Sequence, residues 1–546
     1  MKKSNFLQGA LLATLSIIIC KILGLIYVIP FYDIIGTKGG ALYSYAYSIY
    51  SIFLSLSTCG IPVAVSKLVS EYNALENFTL KEKIYKMSAS IMTVIGLISF
   101  ILMFVFAESI AYMFIGNIQG GNTIEEIATA IRVISVALLV VPQQSVLRGY
   151  LQGHKMISAT SISNVIEQFV RVTIIIAGSY ITVRFLNLPI NYAVYIAIFS
   201  ATIAALSSYI YLKIKIHKNK SEFKTESEND PILTKKELFK KVIFYALPFV
   251  VIDFIKSLYG IVDSVTVVKT LVSLGYSTEI AETAFGVVST WGTKLNMIIM
   301  SISMGLTISL VPNISSLFVQ KKYKDVNEKI NQSFSLMLFL TIPMALGISF
   351  LAQPVWIVFY GYNEISINIF RFFIIQVIFY GLYTTVINIS QTMNNTKLSL
   401  GTLITSFILK SLLNIPMMYL LNLIGIEAYY GPILTNAIVE GLTFIIVLLI
   451  LKKKYSFKYR TILNVFIKSI ACTLIMLVAL YLISLVFKMT SLSRAMSIIY
   501  IIVYSIIGAI IYMFIAKKIG LLKDSLGVNS LKEFLKKLKH DWLYNK

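Results

Sequence analysis

Stretches of about 20 apolar residues recur along the whole chain, and they limit its fold more than any motif does. They lie near residues 5–32, 42–65, 84–107, 127–150, 160–183, 189–212, 241–268, 284–311, 332–353, 366–390, 398–421, 428–451, 463–487 and 495–516. A backbone group in lipid has no water to bond, so each stretch must close its own hydrogen bonds as a helix. A β-barrel would alternate apolar and polar residues, and these runs do not. Composition agrees, with 57% hydrophobic and 13% charged residues in 546, where a soluble domain carries about 25% charged. The expectation is an all-α polytopic membrane protein with about 14 transmembrane helices.

The net charge of +23 would suggest nucleic acid in a soluble protein. Here its distribution points to membrane topology instead. With the N-terminus inside, only Lys38, Arg184, Lys269, Lys488 and Arg494 fall in outer loops, and most of the 48 basic residues fall in inner ones. The positive-inside rule then places both termini in the cytoplasm and accounts for the charge, so no nucleic-acid partner is expected. The first apolar run is too long for a signal peptide, and no small-residue cleavage site follows it. Cys20, Cys59 and Cys472 sit in apolar runs with neither disulfide nor zinc spacing.

The chain carries an internal repeat. SLSTCGIPVAVSKLVSEY (55–72) matches SISMGLTISLVPNISSLF (301–318), aligning Gly60 with Gly305. Farther on, LQGHKMISA is echoed by SQTMNNTKLSL, with Gln152 and Gln391 leading polar turns at similar distances from those glycines. Both halves start inside, so the repeats are parallel, a relation that transporters use to rock two halves about a substrate. The division expected is a six-helix lobe at 1–212, a basic cytoplasmic linker at 213–240, a second six-helix lobe at 241–451, helices 13 and 14 at 452–516, and an amphipathic tail at 517–546. The linker reads as solvated, with basic residues able to touch anionic lipid. The tail alternates Leu526, Leu531, Phe534, Leu535, Leu538 and Trp542 with lysines and reads as a helix on the inner membrane surface. Pro30, Pro62, Pro142, Pro248, Pro312, Pro343, Pro416 and Pro432 lie in or beside spans, as kinks or as ordinary membrane-helix prolines.

Charges inside spans point to function. Arg132, Arg371 and Lys468 lie near helix ends and can snorkel. Lys21, Arg171, Lys256, Lys294 and Lys410 lie deeper. Each costs roughly 2.5–3.5 kcal/mol at mid-membrane, so each needs water, a carboxylate or a ligand anion. Glu167 and Arg171 are four residues apart on one helix and can neutralise each other. Asp253 and Lys256, with Asp263 beyond, read either as a structural pair or as part of an ion relay. Lys410 and Glu440 lie on successive helices and can pair. Lys21 and Lys294 have no acidic residue within four positions, and they come one from each half. Two compact cations at one site suit a pyrophosphate.

No HExxH, GxSxG, Walker A or paired-cysteine motif is present, so no catalytic residue, metal site or cofactor is assigned. His154, His217 and His540 fall in inner loops or the tail and read as solvated.

The stretch CKILGLIYVIPFYDIIGTKGGALYSYAYSIYSIFLSLSTCGIPVAVSKLVSEYNAL resembles the start of Gram-positive polysaccharide-biosynthesis-type membrane proteins, and RGYLQGHKMISATSISNVIEQFVRV extends the match. These proteins belong to the superfamily of multidrug (MATE) exporters, oligosaccharide-lipid flippases and MurJ-like lipid II flippases; the SpoVB-like and MurJ-like subgroup is the nearest. The resemblance covers essentially the whole chain. It implies two six-helix lobes around a cationic cavity in the bacterial plasma membrane, moving an undecaprenyl-pyrophosphate-linked sugar outward, most nearly peptidoglycan lipid II. The flippase helix-1 pattern Ser-Arg-Val-Leu-Gly-Phe is similar to residues Cys20 to Leu25, so Lys21 stands at an important arginine. Lys294 falls beside the basic position of helix 8. Tyr27, and Leu54 or Ser55, replace two further arginines, so the cavity's charge set differs. Helices 13 and 14 would, by resemblance, form a groove for the lipid tail.

The reading is a flippase, not an enzyme. Lys21 and Lys294 hold the pyrophosphate; Arg171, Lys256 and Lys410 are secondary cations. Asp253 and Asp263 are candidates for coupling to a monovalent cation, and membrane potential is an alternative drive. Membrane lipids and cell-wall synthesis proteins are the remaining candidate partners. The rivals are a multidrug exporter of the same fold, a non-transporting cell-wall scaffold, and a membrane glycosyltransferase. An exporter of cationic drugs would want acidic and aromatic cavity residues, and a glycosyltransferase would want catalytic carboxylates.

Overall fold

In a computed structural model, the described residues are 6–58, 60–218, 223, 234–393, 395–487 and 493–526, with side chains at 6–11, 13–14, 57 and 302–313 left aside. Cys59, Lys488, His540, the tail from 527 and most of the linker lie outside them, and so does the side chain of Pro312. Every regular element among the described residues is helical. Among the described residues, ten helices are long and apolar enough to cross a membrane, by length and composition alone. Each of the apolar stretches coincides with a helix or a broken helix.

These residues form two compact units, dividing between Ser289 and Thr290. The first holds α1 (Phe6–Ile26), α2 (Val28–Thr58), α3 (Ile61–Ala74), α4 (Phe78–Val105), α5 (Ala107–Ile115), α6 (Ile124–Ser135), α7 (Val141–Gly153), α8 (Ile157–Tyr180), α9 (Ile190–Lys218), α10 (Lys235–Ser273) and α11 (Thr278–Gly286). The second holds α12 (Gly292–Val319), α13 (Tyr323–Phe350), α14 (Ala352–Tyr360), α15 (Glu364–Thr392), α16 (Thr396–Leu423), α17 (Gly431–Tyr455), α18 (Arg460–Val486), α19 (Arg494–Lys518) and α20 (Leu521–Leu526).

In the first unit α8 packs on α9 and α1, α3 packs on α7, and α10 packs on α2, α3 and α11. Thus α10 and α11 pack with the first unit, although the sequence repeat begins its second copy there. Repeat and packing unit are different divisions of the chain. In the second unit α13, α15, α16 and α17 form the centre, with α18 and α19 paired beside them.

Local sequence explains the helix ends. Thr123 with Glu126, and Thr234 with Glu237, form reciprocal capping boxes that satisfy orphan backbone donors at the starts of α6 and α10. Pro62, Pro142 and Pro432 sit in the first turns of α3, α7 and α17, where the missing N–H costs no helical bond. They start helices and do not kink them. Pro248, Pro343 and Pro416 lie inside α10, α13 and α16. The loop before α6 is tied to α11: the Asn122 amide and backbone N–H donate to the Glu282 carboxylate at 2.9 and 3.0 Å, and Thr278 donates to the Gln119 carbonyl at 2.7 Å. Burial pushes the Glu282 carboxyl above its usual range.

The described beginning of the tail differs from the membrane-surface reading. α20 packs on α13, α18 and α19, burying Leu521 and Leu522, and Lys468 pairs with Asp524 at 2.6 Å. Lys468 therefore has a carboxylate partner as well as a route to the interface. Arg132 similarly pairs with Glu108 at 2.7 Å.

Gly60 breaks the chain between α2 and α3 at φ +37°, and a Cβ there would lie 2.4 Å from the Ala246 carbonyl oxygen of α10. Only glycine meets both conditions. Gly60→Ala should cost about 2 kcal/mol or more through strain and overpacking. The check is the thermal unfolding midpoint of the purified protein in detergent, and an unchanged Tm would contradict this account.

Candidate functional site

The first unit builds a partly buried ionic network from residues spaced one helical turn apart. α7 presents Gln144 and Arg148, and α8 presents Ser163, Glu167 and Arg171, all at i,i+4 intervals. Arg148 donates to Glu167 at 2.8 Å, to Ser163 at 3.0 Å and to Ser208 of α9 at 3.0 Å. Arg171 donates to the other Glu167 oxygen at 2.7 Å, and the Gln144 amide donates to the carboxylate at 2.8 Å. One carboxylate thus takes three side-chain donors and leaves the cluster with one net positive charge. The pairing of Arg171 with Glu167 is the one that the spacing allowed. Tyr43 and Tyr47 of α2 stack at 4.4 Å, and Tyr47 meets Tyr50 edge-on at 5.9 Å.

The other first-unit candidates are separate. Lys256 and Asp253 of α10 approach to 3.4 Å and both are substantially exposed, and Asp263 is buried farther along the same helix. Lys21 is half-buried on α1, which packs against α8, and it makes no hydrogen bond or ion pair with the described residues. One turn on, a Cβ at Gly24 would lie 3.4 Å from the Gln168 amide nitrogen.

In the second unit Lys410 and Glu440 are each about 1% exposed, on the packed helices α16 and α17. The Gln376 amide of α15 donates to Glu440, and Tyr383 and Ser406 bond at 2.6 Å nearby. Lys294 of α12 is half-buried, its ammonium 4.9 Å from the ring centre of the buried Trp291. Lys21, Arg171, Lys256, Asp253 and Asp263 therefore belong to one unit, and Lys294 and Lys410 to the other.

Sequence reasoning missed Arg148 and Gln144, which lie within the apolar stretch at 127–150. Their i,i+4 spacing, which Glu167 and Arg171 repeat, was the available signal. It also misread His154. That ring lies 4.5 Å from Tyr150 and 4.9 Å from Phe223, and neither nitrogen has a hydrogen-bond partner among the described residues. Burial, aided by Lys81, pushes its pKa down to about 4. Phe223 comes from the linker and is only 7% exposed, in the core formed by α3, α4, α7, α9 and α10. At that point the linker is anchored and not solvated. Lys81, another inner-loop lysine, is buried and donates to Asn73 at 3.0 Å.

The first unit thus holds a partly buried, charge-compensated network and the second a buried polar link, both within long apolar helices. The chain is similar in fold to the solved structure of the lipid II flippase MurJ in an inward closed conformation, with a TM-score of 0.66 and 17% identity, over 93% of this chain and 98% of that one. This is the fold of the superfamily that includes MATE and MurJ transporters. The family model for polysaccharide biosynthesis protein matches residues 6–318, and the MatE model matches 248–420. Over 98% of its length the chain is 30% identical to the lipid II flippase MurJ of Bacillus subtilis (strain 168), covering 99% of that protein. It is 28% identical to stage V sporulation protein B of the same organism, over 62% of this chain and 63% of that one. The chain belongs to the polysaccharide biosynthesis protein family, and it is a transporter rather than an enzyme.

Glu167→Ala should leave Arg148 and Arg171 uncompensated and cost roughly 3–5 kcal/mol, read as a large fall in Tm and in folded yield. A second test uses pH. The unfolded chain protonates His154 near its ordinary value of 6.5, and the folded chain only near 4. Over that window the unfolded state binds more protons, so stability falls as pH drops from about 6.5 to 4, by up to roughly 3 kcal/mol. His154→Phe should flatten the Tm–pH curve there, and parallel curves for parent and variant would refute the assignment.

Proposed function

We propose that the protein is a flippase that carries an undecaprenyl-pyrophosphate-linked sugar, most nearly peptidoglycan lipid II, across the bacterial plasma membrane. The observation that carries this reading is the end-to-end similarity to a lipid II flippase at 30% identity. The surplus of deep basic residues is consistent with an anionic cargo.

In this reading Lys21 and Lys294 hold the pyrophosphate. Lys21 is suited to the task because no carboxylate among the described residues neutralises it. Arg171, Lys256 and Lys410 set the positive potential around it, Arg171 through the net charge of its cluster with Arg148 and Glu167. In this reading both termini lie in the cytoplasm, which the excess of basic residues in the loops on that side supports. The cycle is alternating access, biased by membrane potential or by a monovalent cation at Asp253 and Asp263; a unit charge gains about 2.3 kcal/mol per 100 mV. The MatE match over residues 248–420 favours one second reading, a multidrug exporter of the same fold.

The test is movement of fluorescent lipid II across proteoliposome membranes. Lys21→Ala and Lys294→Ala should each abolish it at unchanged protein level, and Lys21→Arg should retain it. Normal movement in both alanine variants would discard the site. Drug efflux without lipid II movement would favour the exporter.

A further inference from the structure

A wide-open surface concavity of about 600 Å³ lies in the first unit, lined by Val63, Ser66, Lys67, Ser70, Glu71, Ala74 and Gln152. It is separate from the Arg148–Glu167–Arg171 network and from every cation assigned above. Its size falls in the range of small-ligand pockets, about 300–1,000 Å³.

The pocket is built by a close approach of two helices. A Cβ at Gly149 of α7 would lie 2.5 Å from the Pro62 carbonyl oxygen of α3, and one at Gly153 would lie 2.9 Å from the Ser66 carbonyl oxygen. Glycine at both positions lets the helices touch, and this sets Gln152 beside the polar face of α3. That face repeats Ser66, Ser70 and Lys67, Glu71 at one-turn spacing. Lys67 is steadied by the Tyr245 ring of α10, 4.2 Å from its ammonium.

These groups are not spent on the fold. Among the described residues, the side chains of Ser66, Ser70, Glu71 and Gln152 make no hydrogen bond. The pocket offers a cation, an anion, two hydroxyls and a primary amide within one concavity. A simple anion would be repelled by Glu71 and a simple cation by Lys67. The complementary ligand carries both charges together with hydroxyls and amides.

We infer that this pocket binds the glycopeptide headgroup of the transported lipid, with Glu71 taking a peptide ammonium, Lys67 a peptide carboxylate, and Ser66, Ser70 and Gln152 the sugar hydroxyls and amides. The inference rests on the flippase reading and adds to it a subsite for the part of the substrate that the pyrophosphate cations do not touch. The loop charges favour the cytoplasmic side for this end of α3 and α7.

The experiment measures binding to the purified full chain in detergent. The first probe is the disaccharide pentapeptide freed of lipid and pyrophosphate, and the second is undecaprenyl pyrophosphate without sugar. The parent should bind both. Glu71→Gln and Gln152→Ala should each weaken the first by about tenfold, about one lost charged or neutral hydrogen-bond set, and leave the second unchanged. Acetylating the peptide ammonium should erase the difference between parent and Glu71→Gln. Both side chains are exposed, so Tm should hold. Failure of the parent to bind the freed glycopeptide, or equal binding by the variants, would overturn the pocket assignment while leaving lipid II movement to judge the flippase. Glycopeptide binding that depends on Glu71 and Gln152, with no lipid II movement in proteoliposomes, would uphold the pocket and remove the flippase reading.

Discussion

The Glu167 carboxylate, held between Arg148 and Arg171, is the interaction on which the first unit's interior depends. A lone charge in that setting would cost several kcal/mol, and a pair recovers the cost only when its remaining donors and acceptors are also satisfied. Gln144, Ser163 and Ser208 supply those bonds, from three helices. The network therefore fixes how α7, α8 and α9 lie against one another, where greasy side chains alone would tolerate sliding. In the second unit Gln376 of α15 and Glu440 of α17 make a comparable buried polar link.

The fold was largely legible in the sequence because lipid removes alternatives. Once a stretch of about 20 residues is apolar, helix is the only solution that pairs its backbone, and each stretch did prove helical. Helix interruptions were less legible. The stretch at 127–150 is α6 and α7 with a 3₁₀ turn at Val136–Leu139 between them, and a π-turn at Val287–Trp291 separates α11 from α12. Hydropathy does not respond to such changes of hydrogen-bond register. Proline was ambiguous for a related reason: the same residue starts a helix at Pro62 and interrupts one at Pro248, and only the position of the first turn decides.

Charges followed a similar rule. Partners on one helix, such as Glu167 with Arg171 or Asp253 with Lys256, could be read from spacing. Partners on different helices are harder to read: the i,i+4 spacing of Gln144 and Arg148 marks a polar face but not the carboxylate that it meets. His154 and Phe223 were misread because polar neighbours masked two rings whose burial depends on tertiary packing. The pocket residues of α3 were visible as serine, lysine and glutamate after a span, but nothing local marked them as unspent. That required the approach of α7, which the glycines at 149 and 153 permit.

Phe223 also changes what the long polar segment does. The segment leaves α9 and returns through α10, and both helices pack in the same unit, with Phe223 anchored in that unit's core. Mechanically it is a strap fastened at both ends and once along its length. Closing that loop constrains only the first unit, since both of its flanking helices pack there. The covalent passage from one unit to the other falls instead at Ser289–Thr290, inside a single π-turn of five residues. That passage is helical backbone whose hydrogen bonds are shifted by one residue from the α-helical register.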